Sequence, residues 1–134
     1  PRHASMSARR DFAQLAVGVL MNEIITKIDD IERLLNKYNI KDFLVVVSEC
    51  KDLLKKNKRK EFWKIVNSPT WWGRENLSLA NVHFAQGRND DDLPRDMAVY
   101  EQALLVLGRS LLKEGIVNED VEEWVFQLES WYDI

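Results

Sequence analysis

Seven apolar residues, Val17, Met21, Ile24, Ile28, Ile31, Leu35 and Tyr38, recur at alternating steps of four and three. A helix turns once in about 3.6 residues, so this spacing draws one apolar stripe along a single helical face. Ser7 is a suitable N-cap, and the stretch from Asn36 to Asn39 supplies a stop. A first helix is therefore predicted over residues 8–37, with Gly18 as a weak point that can divide it. The stripe admits two uses. It can be the seam of a coiled coil with another chain, or the inner face of a bundle within one domain. With only three heptads available, the second use is expected.

The rest of the chain repeats the helical period. Phe43, Val46, Val47, Cys50, Leu53 and Leu54 predict a second helix over Asp42 to Asn57. Phe62, Ile65 and Val66 predict a third over Arg59 to Asn67, ended by Ser68-Pro69, since the residue before a proline avoids helical geometry. Leu77 to Phe84 reads either as a short helical turn after Asn76 or as a brief strand alternating Ala80, Val82 and Phe84, and the turn is preferred. Ala85 to Asp92 is a polar loop. Pro94 sits in the first turn of a fourth helix with Asp92 or Leu93 at its cap; Met97, Tyr100, Leu104, Leu107 and Leu111 face inward, and Gly115 stops it. Asn118 caps a fifth helix whose stripe is Val121, Val125, Leu128 and Tyr132, with Trp124 and Trp131 beside it. The expectation is an all-α, single-domain bundle of about five helices over residues 1–134.

A chain of 134 residues can bury a sufficient core without metal or disulfide, and its one cysteine, Cys50, has no internal partner. The apolar neighbours of Cys50 read as a buried position, and the lone thiol favours a reducing compartment. No apolar run approaches the roughly 20 residues that span a bilayer. Arg9-Arg10 superficially matches a twin-arginine export signal, but Gln14 interrupts the apolar stretch and no small-x-small site follows. A cytoplasmic protein is expected, with residues 1–6 read as an added leader before a start at Met6 and Met21 as a second candidate start.

The net charge of −3 conceals a split: residues 1–64 hold 14 Lys/Arg against 9 Asp/Glu, and residues 65–134 hold 5 against 13. Such a division steers charged partners or lets two halves of one domain attract each other. No cofactor fingerprint is present. Asp90-Asp91-Asp92 lacks the alternating oxygens, central glycine and distal Glu of a calcium loop, and no pair of metal ligands stands at helical spacing. Cys50 and His83 form the one possible Cys–His pair outside the leader, without a surrounding motif, so no catalytic residue is assigned and no enzyme is expected.

Two features remain as binding signals. Lys55, Lys56, Lys58, Arg59, Lys60 and Lys64, with Phe62 and Trp63 interleaved, could neutralise phosphates and stack a base, although lysines ending a helix also complement its dipole. More distinctive is the acidic, Trp-rich second half. Trp71-Trp72 lies in a Pro-, Gly- and Asn-containing turn, either as a plug for the core or as an anchor offered to a partner. Together with Asp90, Asp91, Asp92, Glu119, Asp120, Glu122, Glu123, Trp124, Glu129 and Trp131, this pair forms the candidate partner-binding set. Carboxylates around aromatic anchors suit capture of a basic protein, since charge speeds encounter and aromatic burial slows release. Three of the five tryptophans are expected to be core residues instead.

Trp72-Gly73, the segment Leu77-Ser78-Leu79-Ala80-Asn81-Val82, and Asn89 to Asp92 follow one another in an order that resembles small all-helical bacterial immunity proteins encoded beside toxins. The likeness covers residues 22–115, with Arg74-Glu75 standing where a second glycine belongs to that pattern. What the resemblance implies is a non-catalytic inhibitor of a cognate toxin. A nuclease toxin is basic because its substrate is a polyanion, and an acidic protein can fill its site. The alternatives are a scaffold that oligomerises through the first helix's stripe, and nucleic-acid binding through Lys55 to Lys64.

Overall fold

In a computed structural model, residues 21–75, 77–84 and 91–132 are described. They form helix α1 over 21–37, α2 (Leu44–Lys55), α3 (Arg59–Val66), the one-turn α4 (Pro69–Trp72), a 3₁₀ turn at Leu79–Asn81, α5 (Leu93–Lys113) and α6 (Glu119–Tyr132). The protein is an all-α bundle. The part of the first helix expected before residue 21, with Val17 and Gly18, lies outside the described residues.

Helix α1 buries Ile24, Ile28, Ile31 and Leu35 of the stripe, and Leu34 with them; Met21 is partly buried, and Tyr38, just past the helix end, is buried too. These side chains lie in the chain's own core, so over the described residues the stripe is consumed internally. This is the expected use of the stripe; the alternative, a seam with another chain, would need a face that solvent can reach, and Ile24, Ile28 and Ile31 offer none.

The stops are chemical. Asn39 and Asn57 both have φ of 58°, the left-handed region that asparagine tolerates better than most residues. Ile40 N donates to Leu35 O at 2.9 Å and Asn39 N to Asn36 O at 3.1 Å; Lys58 N to Leu53 O at 2.9 Å and Asn57 N to Leu54 O at 3.1 Å repeat the pattern. This paired closure caps the last carbonyls of α1 and α2 and turns the chain back on itself. Gly115, at φ 84°, ends α5 in the same region. Asn118 caps α6, its Oδ1 accepting from Asp120 N at 3.0 Å and Val121 N at 3.3 Å, while its amide donates to Asn67 Oδ1 at 2.7 Å. One side chain thus starts α6 and fixes it to the end of α3.

Helices α5 and α6 form an antiparallel hairpin, joined at one end by the short 114–118 connection and tied along its length by Arg109 to Glu129 at 2.9 Å and by the Tyr132 hydroxyl to Glu101 at 3.0 Å. They approach closely at Gly108. A Cβ there would lie 2.7 Å from Val125 Cγ2 and 3.3 Å from Trp72 Cη2. Glycine lowers helix propensity by roughly 1 kcal/mol relative to alanine, so its place in mid-helix reflects this packing.

The start of α5 is held to the end of α1 by a buried carboxylate. Asp96, 3% exposed, accepts from Lys37 Nζ at 2.6 Å and from the Tyr38 hydroxyl at 2.7 Å. Its hydrogen bond to Lys37 holds the carboxyl below its ordinary range, with burial opposing and the Tyr38 bond assisting. Phe84 stacks on the Tyr38 ring at 4.4 Å between centroids, and its ring edge meets Tyr100.

Two stability predictions follow from these contacts. Gly108→Ala should lower unfolding stability by about 1–3 kcal/mol in a urea titration, despite alanine's helix preference, because Val125 is too branched to yield. An unchanged or raised midpoint would show that α5 and α6 are not so close. Asp96→Asn should cost about 1–3 kcal/mol at neutral pH by replacing the charged acceptor that Lys37 and Tyr38 share with a neutral amide. A carboxyl depressed in the folded state contributes stability above its unfolded pKa and loses it as pH falls through the folded value. Wild-type stability should therefore decline below about pH 4, and the variant's decline should be shallower.

Candidate functional site

The Trp71-Trp72 turn is a plug. Pro69 occupies the first turn of α4, and Gly73 N donates to Pro69 O at 2.8 Å, so close that a Cβ on Gly73 would come within 2.7 Å of that oxygen. Both indoles are fully buried. Trp72 Nε1 donates to Val66 O at 2.7 Å, and Trp124 Nε1 donates to Trp72 O at 2.9 Å. The Gly73 carbonyl accepts from Ser78 Oγ and Asn81 Nδ2, each at 2.8 Å, which winds residues 78–81 into the 3₁₀ turn. The brief-strand alternative for 77–84 gives way to this turn.

The candidate set is corrected on that basis. Trp71, Trp72 and Trp124 are core residues and cannot anchor a partner, and Trp63 is buried as well. Four of the five indoles are therefore internal, one more than expected. Only Trp131, 53% exposed, presents its ring.

The carboxylates divide between two ends of the α5–α6 hairpin. Asp91 and Asp92 precede α5, and Asp92 pairs with Lys37 at 3.4 Å and Arg95 at 3.1 Å. Asp90 lies outside the described residues. Glu129 pairs with Arg109 on the flank of α6 that meets α5, so its charge is engaged within the hairpin. Asp120 is half-buried at the capped end. That leaves Glu119, Glu122 and Glu123 exposed on the outer face of α6. Arg74 reaches Glu123 at 3.2 Å while its guanidinium lies 4.8 Å from the Trp124 ring centroid. Glu119 and Glu122 have no cation within ion-pair distance among the described residues.

Between these acids stands Phe126, 76% exposed, a residue absent from the candidate set. Its signal was in the sequence: it falls off the stripe of Val121, Val125, Leu128 and Tyr132, on the side that carries Glu119, Glu122 and Glu123. Phe126 and Trp131 stand on either side of a polar strip of Glu123, Gln127 and Ser130. Beside Phe126 is a shallow depression of about 340 Å³ floored by that strip and Arg74. Beside Trp131 is a cleft of about 280 Å³ reaching His83, Met97 and Glu101. Burial raises the Glu101 carboxyl above its usual range, against the Tyr132 hydroxyl and His83, which lower it. Tyr132 is in turn pushed up to about 12, by burial first and then by Glu101.

Among the described residues no group of three His, Cys, Asp or Glu side chains could hold a metal ion. Cys50 is buried, and desolvation pushes its thiol up to about 12, with Glu49 adding to the rise and the Trp71 indole N–H opposing it. At that value it carries no thiolate at neutral pH. No described helix is long and apolar enough to cross a membrane. No protein-family model, curated protein or solved structure matches the chain. The functional reading therefore rests on this surface alone.

A side chain as exposed as Phe126 adds little to folding and should be cheap to remove. Phe126→Ser should change the unfolding free energy by no more than about 0.5 kcal/mol. A loss above about 2 kcal/mol, as for a core aromatic, would place Phe126 inside the bundle.

Proposed function

We propose that this protein is a non-catalytic binding domain, an immunity-type inhibitor that captures a basic toxin on the outer face of α6 and acts in the cytoplasm. The observation that carries the reading is an exposed Phe126 set among the accessible carboxylates Glu119, Glu122 and Glu123, with Trp131 across the strip. Large apolar side chains this exposed mark contact sites when they cluster with charge of one sign. The acids steer a basic partner into encounter, and the rings leave water only once it is seated. Arg74, already held by Glu123 and Trp124, keeps that wall of the site in place before the partner arrives.

The test is affinity capture from the source organism with two baits, wild type and Glu119→Lys/Glu122→Lys/Phe126→Ser. The reading predicts a basic protein retained by wild type and lost on the variant. For the purified pair, association should slow in the charge variant and dissociation should quicken in Phe126→Ser alone. Equal retention by both baits, or retention of an acidic protein, would contradict it.

A further inference from the structure

A second surface lies on the basic half of the molecule and shares no residue with the α6 face. Arg59, Lys60, Trp63 and Lys64 of α3 form a groove of about 400 Å³ with Glu114 and Ile116 of the α5–α6 connection. Its floor is apolar, made by Ile116 and the edge of Trp63. Arg59 is tied to Glu114 by a guanidinium–carboxylate pair. The lysines are not so engaged. Lys55, Lys56, Lys58, Lys60 and Lys64 are exposed, and none has a carboxylate within ion-pair distance among the described residues. Lys55 and Lys64 sit in the last turns of α2 and α3, where the helix dipole favours them. Lys56 is the C-cap of α2, which leaves Lys58 and Lys60, at the start of α3, without such a role. The one acidic side chain on α3 is Glu61.

We propose that this groove docks an acidic protein segment, with one aliphatic side chain seated on Ile116 and the edge of Trp63 and flanking carboxylates paired to Lys60 and Lys64. The geometry favours a peptide over a nucleic acid. Trp63 is only 4% exposed and Phe62 is fully buried, so the interleaved aromatics offer no ring face on which a base could stack. The one guanidinium lining the groove, which would grip a phosphate with two parallel bonds, is committed to Glu114. What remains is a narrow apolar floor ringed by point charges, which suits a branched side chain between carboxylates.

Fluorescence anisotropy of a labelled acidic peptide with a single central leucine tests this directly. Saturable binding to the full chain is expected, weakened at least about tenfold by Lys60→Glu/Lys64→Glu, which are exposed positions that leave the core intact. Replacing the peptide's leucine by serine should weaken binding by about tenfold, roughly the transfer free energy of one buried aliphatic side chain. Phe126→Ser should leave peptide binding unchanged, which separates this surface from the α6 face. Three results would overturn the proposal: no saturable binding of the leucine peptide, equal binding of the leucine and serine peptides, or tighter binding of a single-stranded oligonucleotide of equal charge.

Discussion

The Trp72 indole is the joint on which the bundle depends. Its N–H is used by the last residue of α3, its backbone carbonyl by Trp124 of α6, and its six-membered ring lies against the one glycine in the interior of α5. Three helices thus converge on a side chain supplied by a single turn. Both polar groups of Trp72 are satisfied there, which avoids the roughly 1–3 kcal/mol that a buried unpaired donor or acceptor costs. The buried N–H groups of Trp63 and Trp71 have no such partner among the described residues. Gly73 and Gly108 are the two small residues that let backbone and ring come this close. By occupying the inside of the bundle, the paired tryptophans leave the outside to other residues.

The helices themselves were legible because their signals are local. The apolar stripe of α1, the asparagines at the ends of α1 and α2, the cap at Asn118 and the stop at Gly115 each act within a turn of where they stand. The role of Trp71 and Trp72 was not legible. A short turn has no period to reveal which way its side chains point, and their destination is set by Val66, Gly108 and Trp124, which are remote in sequence. Asp96 illustrates the same limit. Its favourable place at a helix start could be read locally, but its burial against Lys37 and Tyr38 required the tertiary fold. Phe126 is the opposite case. Its departure from the stripe was visible, yet an aromatic beside Val125 blends into an apolar helix unless the period is followed residue by residue.

The charge division along the chain becomes a division of surfaces. Among the described residues, Lys37 with Asp96 and Arg59 with Glu114 join the two halves and serve as struts between helices. Most remaining charges face solvent. On α6 they surround exposed rings, and on α3 they surround a groove whose rings are hidden. That contrast separates the two proposed binding surfaces: one has aromatic projections among carboxylates, the other a recess among lysines.

Collisional quenching of tryptophan fluorescence by iodide and by caesium tests the central claim most directly, because opposite charges remove any bias from the acidic face. The account predicts that one of the five indoles is accessible and that Trp131→Phe abolishes the quenchable fraction. A substantial quenchable fraction surviving in that variant would put Trp71, Trp72 or their neighbours at the surface, and the bundle described here could not be the folded state.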